Sequence, residues 1–242
     1  MRRAGRIVAS TISTVLDAVR PGATTADLDR VAESWIRDQH AVPSFKGYRG
    51  TYPATICASI DDEIVHGIPS ADRTLQEGQL LSLDFGAIWE GFHADSAVSV
   101  FVGGVSPSEE AARLMKTTEE AMYAGIAAVQ PGGRLSDIGH AIESVAEPAG
   151  LGIVREYGGH GIGRAMHEDP FIQNWGPPGR GPGLRPGLVI AIEPMLMLGD
   201  ERTRVLDDGW TVVTADGSLA AHFEHTVAIT EHGPEVLTSR DR

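Results

Sequence analysis

The strongest constraint on the fold is that the chain repeats itself. Residues 18–28 read AVRPGATTADL and residues 128–138 read AVQPGGRLSDI, an offset of 110, and Glu33-Ser34 is matched by Glu143-Ser144 at the same offset. A second pair, LQEGQLLSLDFG at 75–86 and LRPGLVIAIEPM at 184–195, follows at an offset of 109 and sets Asp84 on Glu193. Self-similarity of this kind decides the architecture before any local reading does. Each copy has the same grammar. A helix ends, Pro-Gly turns the chain, and an Asp near the next helix start can cap it. Later a Gly turn leads into a short apolar strand that finishes on an acid. Two ordered matches at nearly one offset predict an α/β (α+β) fold with pseudo-two-fold symmetry. The half-repeats are expected at about 1–105 and 106–242, in one domain, a size that 242 residues allow.

Local patterns place helices near 2–19, 25–39, 108–129 and 135–149, and strands near 54–60, 79–88, 92–102, 153–157, 188–197, 211–214 and 222–230. The stretch NWGPPGRGPGLRPG (174–187) has no periodicity and is expected to be an irregular surface connection without chemistry.

Composition excludes several classes of function. The chain carries 33 Asp plus Glu against 20 Lys plus Arg, a net charge of −13, which argues against a broad basic face for nucleic acid. No uncharged apolar run is long enough to span a membrane. Cys57 is the sole cysteine, so neither an internal disulfide nor a multi-thiolate zinc site is available. These features suit a reducing, cytoplasmic setting. The apolar stretch after Met1-Arg2-Arg3 is broken by Ser and Thr and reads as an amphipathic helix rather than a leader, so the chain is expected to be complete at its N-terminus.

The chemistry is expected among acids on apolar strands. LLSLDFGAI and FHADSAVSVFV flank Trp89-Glu90-Gly91 and read as a hairpin. A turn centred near 89–90 would put Asp84 almost opposite Asp95. Two carboxylates facing each other need a proton, a cation or a metal ion between them. Glu193 ends a strand apolar on both faces, and Glu224 lies within AHFEHTVAIT, whose alternation reads as a strand with Glu224 and Thr226 on one face. A carboxylate buried in such a strand is costly unless neutralised. His160 sits between glycines in GGHGIG, where the backbone can approach a ligand closely, and His66 and His167 lie in VHGIP and AMHEDP. A lone histidine is more often a structural residue than a ligand, and the Asp84–Asp95 pair alone is as readily a solvated face as a site. Taken together, four carboxylates plus one imidazole suit one or two divalent ions of the Mn, Fe, Co or Zn type. No GxSxG, HExxH or Walker loop is present, and Cys57 has no neighbour that signals an activated thiol.

As a set, HGIP (66–69), LDFG with FHADSA (83–96), GGHGIG with MHEDP (158–170), AIEP (191–194) and FEHT (223–226) resemble the pita-bread metallopeptidases of family M24, and within them the type I methionine aminopeptidases. The resemblance covers essentially the whole chain. It implies a pita-bread fold, with helices outside a curved, largely antiparallel sheet. It implies two divalent metal ions (Co, Mn, Fe or Zn) held by Asp84, Asp95, His160, Glu193 and Glu224, with Asp95 and Glu224 bridging. It implies that His66 contacts the substrate, that His167 supports the developing oxyanion, and that Glu193 shuttles a proton. The methionine pocket would involve Phe45, Tyr48, Tyr52, Cys57, Met166 and Trp210.

Three positions depart from the family pattern. Met166 stands where an aromatic residue is usual, RGTYP (49–53) is one residue longer than the usual stretch after Tyr48, and Phe45 stands where some members have Cys. All three touch the pocket rather than the ligand set. The implied activity is removal of the initiator methionine from nascent polypeptide N-termini, met at the ribosome, by a monomer that needs neither a specific nucleic acid nor a membrane. Two readings compete with it: a prolidase-like or prolyl-specific aminopeptidase of the same fold, and a binding protein of the same fold without catalysis.

Overall fold

The computed structural model describes residues 1–240. Among these residues four α-helices, α1 (Arg2–Leu16), α2 (Thr25–Asp38), α3 (Glu109–Ala127) and α4 (Leu135–Ala146), occupy the places the periodicity predicts. Each is amphipathic, and their apolar stripes are buried: Ile7, Val8, Ile12 and Val15 on α1, Leu28, Ala32 and Ile36 on α2, Leu114 and Met122 on α3, Ile138 and Ile142 on α4.

The strands are β1 (Val42–Pro43), β2 (Ile56–Ile60), β3 (Glu63–Val65), β4 (Leu80–Trp89), β5 (Phe92–Phe101), β6 (Gly152–Ile153), β7 (Gly159–Gly161), β8 (Glu168–Ile172), β9 (Val189–Ile192), β10 (Met195–Met197), β11 (Thr203–Val205), β12 (Val212–Thr214), β13 (Ala220–His222), β14 (His225–Thr230) and β15 (Gly233–Val236). In the first half β4 pairs with β5 along one edge and with β2 and β1 along the other. In the second half the order is β15-β14-β9-β7-β8, with β13-β10-β6 beyond it. All pairings are antiparallel. Leu81, Leu83 and Phe85 of β4 join the helices' apolar stripes in one continuous core, which leaves Ser82, Asp84 and Gly86 on the opposite face.

The matched segments fold alike down to single hydrogen bonds. Gly22 and Gly132, each after a Pro, take φ of 87° and 85°, a conformation that favours glycine. Gly22 N–H donates to the Leu75 carbonyl (2.9 Å), and Gly132 N–H to the Leu184 carbonyl (3.1 Å). Asp27 accepts from the Thr24 backbone N–H at 2.9 Å and Asp137 from that of Arg134 at 2.7 Å, so both aspartates hold a helix start.

Several expectations need correction. The hairpin turns at Glu90-Gly91, both at positive φ, so Asp84 faces Ala97 and Asp95 faces Gly86. The two aspartates are therefore diagonal neighbours on one face, not opposite each other; a two-residue turn one position later moves the partner by two. The expected strand 188–197 is two strands, β9 and β10, broken at Glu193-Pro194. The expected strand 222–230 is β14 alone, preceded by a break at Phe223-Glu224 and by β13. Glu224 is thus at an interruption, not mid-strand. Pro194 cannot donate to a ladder, which is the local reason for the break. The pairing register is the same on both sides, with Ile192 against His225 and Met195 against His222, so it sets Glu193 opposite Glu224 across the gap. The strand expected at 153–157 is only Gly152–Ile153, and β1, β3, β7, β8, β11, β13 and β15 carry too little alternation to be read from sequence. The stretch 174–187 is irregular, as expected.

Candidate metal centre and substrate cleft

The halves meet along β5. Glu224 N–H donates to the Ala97 carbonyl (3.1 Å). Thr226 Oγ1 accepts from the Asp95 N–H (2.9 Å) and donates to the Asp95 carbonyl (2.7 Å). Ser96 Oγ donates to the Glu224 carbonyl (2.6 Å). This stitching lays the acids of the hairpin beside the broken strands of the second half. His160 arrives on β7, paired to β9.

The result is a cleft of about 520 Å³ whose lining includes Asp84, Asp95, His160, Glu193 and Glu224. Ligand atoms of Asp95, His160 and Glu224 all lie within 4.8 Å of one another. His160 Nε2 is 3.5 Å from Glu193 Oε1 and 3.8 Å from Asp95 Oδ2. His160 Nδ1 lies 2.8 Å from the Gly161 carbonyl; that carbonyl can only accept, so Nδ1 carries the proton and Nε2 presents a lone pair to the acids. The flanking glycines serve packing rather than ligand approach. A Cβ on Gly159 would sit 2.2 Å from the Ala191 carbonyl oxygen, and one on Gly161 2.3 Å from that of Asp169.

This donor set fits a cation. Asp84 Oδ1, Asp95 Oδ1 and Glu224 Oε1 are buried without a hydrogen-bond partner, which is costly for a carboxylate and is resolved by a bound cation. Burial pushes the Asp84 carboxyl up to about 6 and that of Glu193 up to about 7. Burial and the neighbouring carboxylates push Asp95 and Glu224 well above the usual range. Such acids hold a shared positive charge or shared protons.

The cleft wall is a separate apolar cluster of Phe45, Tyr52, Ala54, Cys57 and Met166, edged by Tyr48, Ile68 and Trp210. All six residues expected in a pocket therefore come together. Tyr52 donates its O–H to the Ile56 (3.0 Å) and Gly67 (3.2 Å) carbonyls and meets Phe45 and Trp210 edge to face. Burial, with Asp84 beside it, pushes the Cys57 thiol well up, and Cys57 lines the cleft.

His66 takes φ of 62°, a strained conformation for a non-glycine residue, and stands edge-on to Tyr157 and Trp210. Burial lowers its imidazole to about 4. Tyr48 Oη lies 2.6 Å from His167 Nδ1, and the His167 ring is 4.2 Å from that of His160. Burial and His160 lower the His167 imidazole to about 3. Sequence reasoning missed several lining residues, Tyr157 and His222 among them. Alternation could have found His222, two residues before Glu224 on the same face; Tyr157 lies in the loop that stands where a strand is expected at 153–157.

The arrangement is a buried carboxylate cluster compatible with a metal ion, on an antiparallel sheet at the floor of an aromatic cleft. The family model of metallopeptidase family M24 matches residues 1–231, and the chain belongs to that family. Among its relatives, methionine aminopeptidase 1 of Mycobacterium tuberculosis is 54% identical over 98% of this chain and 91% of its own length. The methionine aminopeptidase of Clostridium acetobutylicum is 52% identical over 98% of this chain and 94% of its own. The crystal structure of the Thermotoga maritima methionine aminopeptidase has a TM-score of 0.96 at 42% identity, covering 99% of this chain and 95% of that one. The prolidase of Pyrococcus furiosus shares the fold, with a TM-score of 0.78 at 22% identity, but this chain spans only 63% of it.

Proposed function

We infer that the protein is a metal-dependent methionine aminopeptidase that removes the initiator methionine from nascent polypeptides. The observation that carries this reading is the set of buried, unpartnered carboxylate oxygens beside His160 at the floor of a cleft walled by aromatic and sulfur-bearing side chains. Asp84, Asp95, His160, Glu193 and Glu224 would hold two divalent ions. When bound, such ions polarise a peptide carbonyl and acidify a water molecule.

The chain's own groups do the rest. Glu193, whose carboxylate faces His160 at 3.5 Å on the cleft floor, is placed to accept a proton at a carboxylate oxygen and pass it to the leaving amine. Tyr48 Oη, 2.6 Å from His167 Nδ1, can donate its O–H there; the neutral imidazole then carries its proton at Nε2, ready to donate to the substrate carbonyl oxygen as charge builds on it. His66, also neutral, contacts the peptide beside the scissile bond. Phe45, Tyr48, Tyr52, Cys57, Met166 and Trp210 take the methionine side chain, since a thioether packs well against aromatic faces and edges.

The reading includes a single catalytic domain of two half-repeats, about 1–105 and 106–242, acting as a monomer in the cytoplasm on N-termini emerging from the ribosome. Among the described residues no helix is long and apolar enough to cross a membrane. The test is hydrolysis of Met-Ala-Ser against Ala-Pro peptides, with chelation and re-addition of divalent ion. Cleavage of the Met peptide, lost on chelation and restored by the ion, is expected; preference for Ala-Pro would transfer the assignment to the prolidase-like reading.

A further inference from the structure

His222 is an imidazole in the site that the functions assigned above do not use. It is 2% exposed, lines the cleft, and its Nε2 has no hydrogen-bond partner. Its backbone is clamped from the other half of the molecule. His222 N–H donates to Ser99 Oγ (3.0 Å), Ser99 Oγ donates to the His222 carbonyl (2.9 Å), and Ser99 Oγ lies 2.7 Å from Ser82 Oγ. The imidazole faces Glu193, with Nε2 3.6 Å from Oε2, a few tenths of an ångström beyond hydrogen-bonding distance. The other oxygen of that carboxylate, Oε1, faces His160 at 3.5 Å. Glu193 thus stands between two imidazoles. His160 is fixed by the Gly161 carbonyl to present a lone pair, and His222 is free to present an N–H. The Asp84 carboxylate is also close enough to act on His222.

We propose that His222 is a positioning residue of the metal centre, donating from Nε2–H to Glu193 Oε2 and so holding that carboxylate oriented for ligation. The proposal rests on the metallopeptidase reading above. It also accounts for an otherwise uncompensated buried nitrogen, since a shift of a few tenths of an ångström in either side chain brings Nε2 within hydrogen-bonding distance of Oε2.

The test is titration of the metal-free full chain with cobalt(II) or manganese(II) by calorimetry, for the wild type and for His222→Leu, His222→Asn and His222→Gln. Loss of the partner of a ligating group typically weakens metal affinity by about 10–100-fold, and that loss is expected for Leu and for Asn, whose amide is too short to reach Glu193. Gln, whose amide reaches, should bind close to the wild-type value. At saturating metal, Leu and Asn should lower kcat on Met-Ala-Ser with little change in KM, because the methionine pocket is untouched. If Leu does not fold, the contrast between Asn and Gln decides the matter. Wild-type-like affinity and kcat in Asn, or Gln as weak as Asn, overturns the proposal. Failure of the wild type to bind either ion overturns instead the functional reading beneath it.

Discussion

The two halves of this molecule start alike and end differently. Both open with two helices, a Pro-Gly turn and an Asp-held helix start. In the first half the strand after the second Gly turn, β4, runs unbroken into a two-residue turn and returns as β5 over ten paired positions. In the second half the corresponding strand breaks at Glu193-Pro194 and the returning strand breaks at Phe223-Glu224. Between them the chain makes an excursion through β11 and β12 that pairs with β3 of the first half and delivers Trp210 beside His66. The regular half supplies a rigid floor with Asp84 and Asp95 at set positions. The irregular half supplies His160, both glutamates and part of the cleft wall. Duplication built the frame, and departure from symmetry built the site.

The comparison can be broken most directly at Glu193. Glu193→Gln keeps the volume and removes the base, so turnover should fall by about 10²–10⁴-fold while circular dichroism and the thermal midpoint stay close to the wild type's. Near-normal kcat would show that the broken strand does not carry the proton transfer.

The metal-free protein offers the next largest effect. The four raised carboxyls keep protons that the unfolded chain gives up, so their contribution to stability is present at low pH and lost as pH rises through the folded values. His66 at about 4, with His167 and His225 at about 3, acts in the opposite sense below the ordinary 6.5, because the unfolded chain takes up protons the folded one refuses. Above 6.5 only the carboxyls remain. The midpoint of the chelated protein should therefore fall between pH 6.5 and about pH 8, and saturating divalent ion should raise the midpoint and flatten the trend. A chelated protein whose midpoint is level over that window would mean the acids are not held protonated.

Gly86 tests the floor. It faces Asp95 in the ladder, and a Cβ there would lie 2.7 Å from Ser44 Cβ and 2.8 Å from Phe45 Cε1. Gly86→Ala should cost about 1–3 kcal/mol by denaturant unfolding and raise KM for Met peptides by displacing Phe45. An unchanged KM would detach Phe45 from substrate binding.

The smallest effect separates the two helix starts. Thr24 Oγ1 accepts the Asp27 N–H at 3.1 Å, whereas the Arg134 side chain can accept nothing. Thr24→Ala should therefore cost about 1 kcal/mol and Arg134→Ala much less. Equal costs would mean that the two copies are held by their aspartates alone.

Much of this was legible in the chain. The helices, the turn glycines and the long hairpin follow from local rules, and the family motifs point to the five candidate ligands and the six pocket residues. The rest was not legible because it depends on contacts distant in sequence. Local pattern sets Asp84 opposite Asp95, because one residue in the placement of a turn shifts the partner by two. It sets Glu224 mid-strand, because alternation continues across a break that only the change of sheet reveals. The glycines around His160 suit the approach of a ligand, yet they make room for β8 and β9. His222 lies on the alternating face of Glu224, but nothing local says that its partner is Glu193, opposite the break.

By itself, then, the sequence determined the duplicated frame, the inventory of acids and histidines, and the family to which they belong. Those depend on residue order, side-chain period and turn chemistry, all of which act within a few positions. The tertiary structure decided that the acids of one half face those of the other across β5, on the floor of the cleft. Burial and mutual repulsion then raise their carboxyls and leave their oxygens without partners. A carboxylate's readiness to hold a cation is a property of the low-polarity space around it, and that space exists only once the two halves have closed on each other.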